Sequence, residues 1–406
     1  MAAATASPED GEGTSWPIGS PVSDVPFVGG RTQEALRIAM VIDSWDDAAN
    51  GAVVSTRRFT DLLRRGGHEV TVLAAGAPAP GKLPLRPFYL PLANGIMRKM
   101  RLPFAWPARK ILRGALSRQD VVHVQFPFYL GIRAVTLARE ARVPVVASFH
   151  VQAEHLLYNV GVRSEAWIER VYRFFLRTVY DRSDLVICPS RFAEEELRSR
   201  GLRVPTRVIS NGVPPEYRPL SEGRRARSER FVVLSVGRLA REKRHDLIIE
   251  AIRHSRHEPN IELVLLGDGP LRGELESKGK GLTHPPVVRF LPTSELIPYY
   301  DRADLYVHAA EVEVECMSVL EAMACGLPCL IARSPRSATP QFALSDAFLF
   351  EAGSRGDLTS KLDHLIEHRD ELEASRSAHR EAAGAYAIDR SLEKLVEAYR
   401  EVTHRI

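Results

Sequence analysis

A chain of 406 residues exceeds one ordinary hydrophobic core and suits two domains. Its apolar fraction of 45% and charged fraction of 26% are those of a globular protein, and a net charge of +4 gives no reason to expect nucleic acid as a partner. The four cysteines, Cys188, Cys316, Cys325 and Cys329, make no paired framework, and Cys325 and Cys329 lack a second ligand pair, so zinc is not expected.

No apolar run approaches the roughly 18 residues of a membrane span. Glu9, Asp10 and Glu12 precede any basic residue, the reverse of a signal peptide. The expected location is therefore the cytoplasm, with any membrane contact peripheral. Residues 1–35, rich in Ala, Ser, Gly, Pro and acids, read as a mobile tail.

Order begins with the apolar run 35–43, a strand. A polar loop and a helix over 54–65 follow, and Gly66-Gly67 leads to a second strand at 69–74. Between strand and helix, Asn50-Gly51 would aim backbone N–H groups into a cleft, a place for phosphate or sugar oxygens; the plain alternative is a tight turn.

Residues 77–119 carry Lys82, Arg86, Arg98, Lys99, Arg101, Arg109, Lys110, Arg113 and Arg118 and no acid, interleaved with Phe88, Leu92, Met97, Phe104 and Trp106. That mixture suits an anionic membrane surface, with Arg98, Lys99, Arg101 and Trp106 facing it. A solvated basic face or an RNA contact are the alternatives. Proline breaks exclude one long amphipathic helix.

Strands at 120–126 and 143–149 flank a helix predicted over 133–142. His150 follows the second of these strands directly, at the end where α/β sheets meet ligands, and Glu154 and His155 are acceptor-side candidates. The helix over 165–182 has a broad apolar face best explained by core packing. A strand at 184–189, a helix at 191–200 and a strand at 206–210 complete a first domain over 36–210. Asn211-Gly-Val-Pro-Pro215 is the crossing point.

The alternation then restarts in a second domain over 211–388. Strand 231–236 leads into Gly237-Arg238-Leu-Ala-Arg-Glu-Lys243 and a helix over 246–254, so Arg238 and Lys243 converge on one end of a sheet, where two cations can stabilise a diphosphate. Further strands are expected at 261–266, 287–291 and 305–309. Gly267-Asp-Gly269 reads as no more than a turn. Glu313 and Glu321 are separated by seven intervening residues, the second at the head of a helix before strand 329–332. Ser318 and Glu321 also have capping-box spacing, which would make Glu321 a helix cap. Helices over 354–369 and 371–386 precede a terminal segment, 389–406.

Glu313-x7-Glu321 followed by A-M-A-x-G-x-P, with G-R-L-x-x-x-K at 237–243, resembles the donor site of the retaining glycosyltransferases of family 4. VECMSVLEAMACGLPCLIA with SPRSATPQFAL looks most like the branch that glucosylates diacylglycerol. The resemblance implies the glycosyltransferase B fold, an α/β architecture of two doubly wound Rossmann-like domains facing a cleft, with 389–406 crossing back to the first. It also implies that Glu313 and His150 contact the transferred sugar, Arg238, Lys243 and Gly51 the donor diphosphate, and Glu321 the ribose. No metal and no cofactor beyond the nucleotide-sugar, UDP-glucose first, is implied. The family usually has Phe-Gly where this chain has Glu315-Cys316, which removes a glycine suited to unusual φ.

The reaction implied is transfer of a hexose to a membrane lipid such as diacylglycerol with retention of the α-configuration. Alternatives are mannosyl transfer from GDP-mannose to phosphatidylinositol, a soluble sugar acceptor, or a non-catalytic nucleotide-sugar binding protein. Alanine at Arg238 or Lys243 is expected to lower turnover by orders of magnitude with little loss of folding.

Overall fold

The computed structural model describes residues 34–46, 50–88, 104–159, 161–220, 229–292 and 295–404. Up to residue 208 the strands are β1 (Arg37–Val41), β2 (Glu69–Ala75), β3 (Lys82–Leu85), β4 (Pro87–Phe88), β5 (Phe104–Ala105), β6 (Val121–Val124), β7 (Val145–Ser148), β8 (Leu185–Cys188) and β9 (Thr206–Val208). Between them run α1 (Gly51–Arg65), α2 (Arg109–Leu116), α3 (Tyr129–Glu140), α4 (Ala153–Asn159), α5 (Glu165–Thr178) and α6 (Arg191–Ser199). Seven strands form a parallel sheet in the order β3-β2-β1-β6-β7-β8-β9, and β4 and β5 form a separate antiparallel pair. The strands β6, β7 and β8 are buried at every position, because helices cover both faces.

The second domain repeats the plan with β10 (Phe231–Val236), β11 (Ile261–Leu266), β12 (Val287–Arg289), β13 (Leu305–His308), β14 (Cys329–Arg333) and β15 (Leu349–Glu351). Its helices are α7 (His245–Arg253), α8 (Arg272–Gly279), α9 (Ile297–Arg302), α10 (Met317–Ala324), α11 (Arg355–Glu367), α12 (Arg369–Ala374) and α13 (Arg376–Ala383), before the last helix, α14 (Ile388–Thr403). Strand order is β12-β11-β10-β13-β14-β15, all parallel. Each sheet therefore reverses direction once, between β1 and β6 and between β10 and β13. A crevice opens beyond the carboxyl ends of the strands at each reversal. Gly267 and Gly237, both at φ above 150°, let the turns after β11 and β10 nest, since a Cβ at Gly267 would overlap the Gly237 carbonyl.

Several expected helices differ in their bounds. The one predicted over 54–65 begins at Gly51, the one predicted to begin at 133 begins at Tyr129, the one predicted over 165–182 ends at Thr178, and the one predicted over 371–386 is broken at Ser375 into α12 and α13.

Two chain crossings join the domains, and they are stitched together. Val213 N–H donates to the Tyr386 carbonyl (2.8 Å) and Ile388 N–H to the Val213 carbonyl (3.0 Å). Gly212 has φ +77, and a Cβ there would lie 2.7 Å from Ile388 Cα, so both conformation and space require glycine. From this point α14 returns over the first sheet, burying Leu392, Leu395, Tyr399 and Val402 with Ile38, Met40 and Val146. The Tyr399 hydroxyl meets His123 Nδ1 at 2.7 Å, and His123 Nε2 meets Ser148 Oγ at 2.7 Å.

Candidate active site between the two sheets

The second-domain crevice holds the densest charge. β10 ends at Val236, Gly237 turns the chain, and a single 3₁₀ turn over Arg241–Lys243 brings Lys243 back to the end of the sheet. Its ammonium bonds Glu313, which follows β13. Burial pulls the Lys243 pKa down, but the Glu313 carboxylate outweighs it and the pKa is raised. For Glu313 burial pushes upward, yet Lys243, His308 and His155 together hold it below the ordinary glutamate value. His308 stays neutral, its pKa lowered by burial to about 4. Lysine at this position is therefore part of a buried pair. The expectation that Lys243→Ala leaves folding nearly untouched is corrected by this contact, because the variant would leave Glu313 buried without a counter-charge.

Arg238 sits in the same turn, directly after Gly237, which lies against the Lys243 stem: a Cβ there would be in ordinary contact with Lys243 Cε at 3.7 Å. His308, Glu313 and Cys316 each bring one potential ligand atom within 4.8 Å of the others. A metal there would compete with the Lys243 ammonium for Glu313 and would need a thiolate from Cys316, whose pKa burial pushes up to about 12.

The Phe-Gly departure has a visible consequence. Cys316 takes φ +84, ψ +86, a positive-φ backbone adopted by cysteine at the position where the resembled pattern has glycine. α10 starts one residue later, and the capping-box expectation fails: no side chain caps this helix. Ser318 instead donates to the Val236 carbonyl (3.1 Å) and accepts from the Tyr306 hydroxyl (2.8 Å).

Glu321 is thereby released from capping and points into the cleft. Arg58, on α1 of the first domain, donates to its Oε1 at 2.9 Å, and the Tyr300 hydroxyl donates to Oε2 at 3.3 Å. Arg58 also reaches the Tyr217 hydroxyl at 3.3 Å. Burial raises the Glu321 pKa against the opposing pull of Arg58. The N-terminus of α1 faces the same place: a Cβ at Gly51 would lie 3.7 Å from Met317 Cε at the start of α10. Asn50 caps α1 by accepting from Ala52 and Val53 N–H (3.0 and 3.4 Å), so its first-turn donors are partly satisfied within the chain.

On the first-domain side His150 lies beyond β7, with Nε2 3.0 Å from Gln125 Oε1. It lines a small cavity with His123, Ser148, Thr56, Ser55 and Asn211. Burial lowers its pKa to about 4, so the ring is neutral. His155, on α4, lies near enough to Glu313 to lower its pKa. Glu154 turns the other way, accepting from the Tyr172 hydroxyl (3.0 Å) and lying 3.6 Å from Arg200, and so belongs to the first-domain core.

Lys243 and Glu313 thus meet directly, with Arg238 in the same turn. Glu321 and Gly51 face one another's elements across the cleft, and His150 occupies the separate first-domain cavity. Arg98, Lys99 and Arg101 lie outside the described residues. Trp106 is exposed on the first-domain surface, with its ring 5.6 Å from Phe88 and 6.2 Å from Tyr129. Arg58, His308 and the hinge contact of Glu315 were not singled out from sequence. Glu315 Oε2 accepts from Asn211 N–H (3.0 Å) and Nδ2 (2.6 Å), while Asn211 Oδ1 accepts from Ser55 (2.7 Å). The residue that departs from the family pattern therefore ties the second domain to the hinge and to α1. Only that departure, Glu in place of Phe, could have drawn attention to it.

Two parallel doubly wound domains whose switch points face one cleft define the glycosyltransferase B fold. Residues 49–217 match the family model Glycosyltransferase Family 4, and residues 219–385 match Glycosyl transferases group 1. The chain is 31% identical over 362 residues to a GDP-mannose-dependent alpha-mannosyltransferase of Mycolicibacterium smegmatis, covering 82% of this chain and 90% of that one. It is 24% identical over 326 residues to the alpha-monoglucosyldiacylglycerol synthase of Streptococcus pneumoniae, covering 74% and 72%. Among solved structures, Anabaena Alr3699/HepE in complex with UDP-glucose superposes with a TM-score of 0.72 at 17% identity, covering 90% of this chain and all of that one (100%). The chain belongs to glycosyltransferase family 4 and is a glycosyltransferase. Among the described residues no helix is long and apolar enough to cross a membrane.

Proposed function

We propose that the protein moves a hexose, glucose from UDP-glucose in the first instance, onto a hydroxyl of a membrane lipid such as diacylglycerol, with retention at the anomeric carbon. The observation that carries the reading is the Lys243–Glu313 pair at the β10/β13 switch point, with Arg238 in the same turn. In this reading Arg238 and Lys243 hold the diphosphate, with Gly51 at the head of α1 opposite. They stabilise negative charge as the bond from the anomeric carbon to the diphosphate oxygen breaks. Glu313 and His150 hold the sugar, His150 as a neutral hydrogen-bonding group, and Glu321 takes the ribose. The acceptor oxygen bonds to the anomeric carbon on the face the diphosphate leaves, and its proton passes to the departing phosphate oxygen.

Glu321 now pairs with Arg58, so ribose binding requires an exchange of partners within the cleft. The relative from Streptococcus pneumoniae supports a diacylglycerol acceptor. The mannosyltransferase from Mycolicibacterium smegmatis, with its higher identity, favours a second reading in which GDP-mannose is the donor and phosphatidylinositol or another acceptor replaces diacylglycerol. Purified protein incubated with dispersed diacylglycerol, phosphatidylinositol and anionic phospholipid, and separately with UDP-glucose, UDP-galactose or GDP-mannose, tests both by mass spectrometry of the lipids. Hexosyl-diacylglycerol with UDP-glucose is the expected product. A lipid product formed only with GDP-mannose establishes the second reading, and donor hydrolysis with no lipid product removes the lipid acceptor.

A further inference from the structure

Between β13 and α10 the chain reads Glu311-Val312-Glu313-Val314-Glu315, and the alternation sorts its side chains to two sides, as an extended segment does. The glutamates meet charged or polar partners: Glu311 bonds Arg244, Glu313 bonds Lys243, and Glu315 Oε2 accepts from the Asn211 N–H (3.0 Å) and Nδ2 (2.6 Å). The valines do the opposite. Both Val312 and Val314 are buried in the apolar core of the first domain, in one cluster with residues of β1, β6 and β7. Among the described residues they are the only second-domain side chains in that cluster.

Hydrogen bonds fasten the same segment to the first domain at two further points. Ser190 Oγ, which caps α6 by accepting from Ala193 N–H (3.1 Å), donates to the Val314 carbonyl at 2.6 Å. The Arg336 carbonyl accepts from Gln152 Nε2 at 3.1 Å and from Glu313 N–H at 3.4 Å, and Ala338 N–H donates to the Glu313 carbonyl at 2.8 Å. Gln152 lies two residues past His150 and is itself buried. Glu313 thus has a first-domain anchor on each side of it in sequence, and its backbone shares an acceptor with a first-domain side chain. Glu321 is mounted differently: its neighbours Leu320 and Ala322 pack in the second domain's own core.

We propose that Val312 and Val314 are positioning residues of the donor site: seated in the first-domain core, they hold Glu313 against the transferred sugar, so that these two anchors govern affinity for the sugar and not for the nucleotide. The inference rests on the reading of Glu313 as a sugar contact given above. A hydrogen bond to a carboxylate is strong but depends steeply on distance and angle. A loop displaced by about 1 Å is enough to lose such a contact. Removing a buried methyl pair from either valine leaves a cavity into which the segment relaxes, and Glu313, between the two anchors, moves with it.

Calorimetric titration of the full chain with UDP-glucose and with UDP, or with GDP-mannose and GDP where that is the donor the parent turns over, gives the ratio of sugar-nucleotide to nucleotide affinity. A partly unfolded sample leaves that ratio unchanged. Val312→Ala and Val314→Ala are each expected to lower it about tenfold, with nucleotide affinity within about twofold of the parent, and Val314→Ile, which keeps the anchor, is expected to retain the parent's ratio. Glu313→Gln should lower the ratio as well, and Val314→Ala in that background should add less than about twofold, because both act through one contact. Thermal melting checks each variant, and Val312→Thr, of nearly the same shape, serves with the same expected direction should the alanine variants melt early. A ratio unchanged in the valine variants, or losses fully additive with Glu313→Gln, overturns the positioning role and leaves Glu313 as the sugar contact. A parent ratio retained in Glu313→Gln itself refutes that sugar contact, and this inference with it.

Discussion

Lys243→Ala probes the buried pair at the centre of the site. Lys243 and Glu313 side chains are 18% and 9% exposed, so the lysine's loss leaves a carboxylate with little water to replace its partner. Removing one member of such a pair costs about 3–5 kcal/mol. Sign and pH dependence follow from the same contact. In the parent, Glu313 has a lowered pKa, so its contribution is present above the ordinary glutamate value and is lost as pH falls through the depressed one. In Lys243→Ala, burial without the cation raises the Glu313 pKa, and the variant regains stability as acid protonates it. The stability gap between parent and variant is therefore widest near pH 8 and closes towards pH 5. Denaturant titration at both pH values, followed by a probe in the second domain, measures it. Adding Glu313→Gln completes a double-mutant cycle. If the two single losses sum to the double within about 0.5 kcal/mol, or if Lys243→Ala is as stable as the parent at pH 8, the pair does not carry the energy assigned to it.

Further outcomes are expected at four residues. Glu315 is held at a pKa of about 7 by burial, against the donors of Ser210 and Asn211, so its neutral form is favoured in the fold and stability declines as pH rises from the ordinary glutamate value to about 7. Glu315→Gln should remove about 3 kcal/mol of that decline, and parallel pH–melting curves for the two proteins would contradict it. Burial holds His150 at a pKa of about 4, below the ordinary imidazole value, so its part of the first domain's stability falls as pH drops from that ordinary value to about 4 and changes no further below it. His150→Ala should lower transfer while leaving UDP affinity within about twofold by titration calorimetry; a large loss of UDP affinity would place His150 against the nucleotide and not the sugar. Arg238→Ala should lower kcat by about a hundredfold or more without a matching fall in melting temperature, and near-normal turnover removes its diphosphate role. Arg58→Leu removes the cation that bridges the cleft to Glu321, and small-angle scattering should show a wider cleft; an unchanged scattering profile would mean the bridge does not hold the domains.

Local pattern carried most of what sequence reading reached. Apolar runs such as 231–236 and 261–266 are bounded by turn residues, and β10 and β11 occupy those same residues. The repeated alternation of strand and helix entails parallel sheets with covered faces, and the G-R-L-x-x-x-K and E-x7-E spacings place charge at strand ends. Periodicity was silent at helix breaks of tertiary origin, such as Ser375 between α12 and α13.

By itself the sequence determined two α/β domains, the crossing near residue 211 and which charged residues lie at the carboxyl ends of the second sheet, because short-range periodicity and turn chemistry encode those features. Tertiary structure alone decided the partners. Arg58 and Glu321 are 263 positions apart and Asn211 and Glu315 are 104, and nothing in either local sequence names the other. Whether Glu321 caps a helix or faces a cleft, how deeply Lys243 is buried, and which groups Glu315 bonds all depend on what lies opposite once strand order has closed the cleft. Burial then sets the energetic weight of each charge, and burial is a property of the packed molecule.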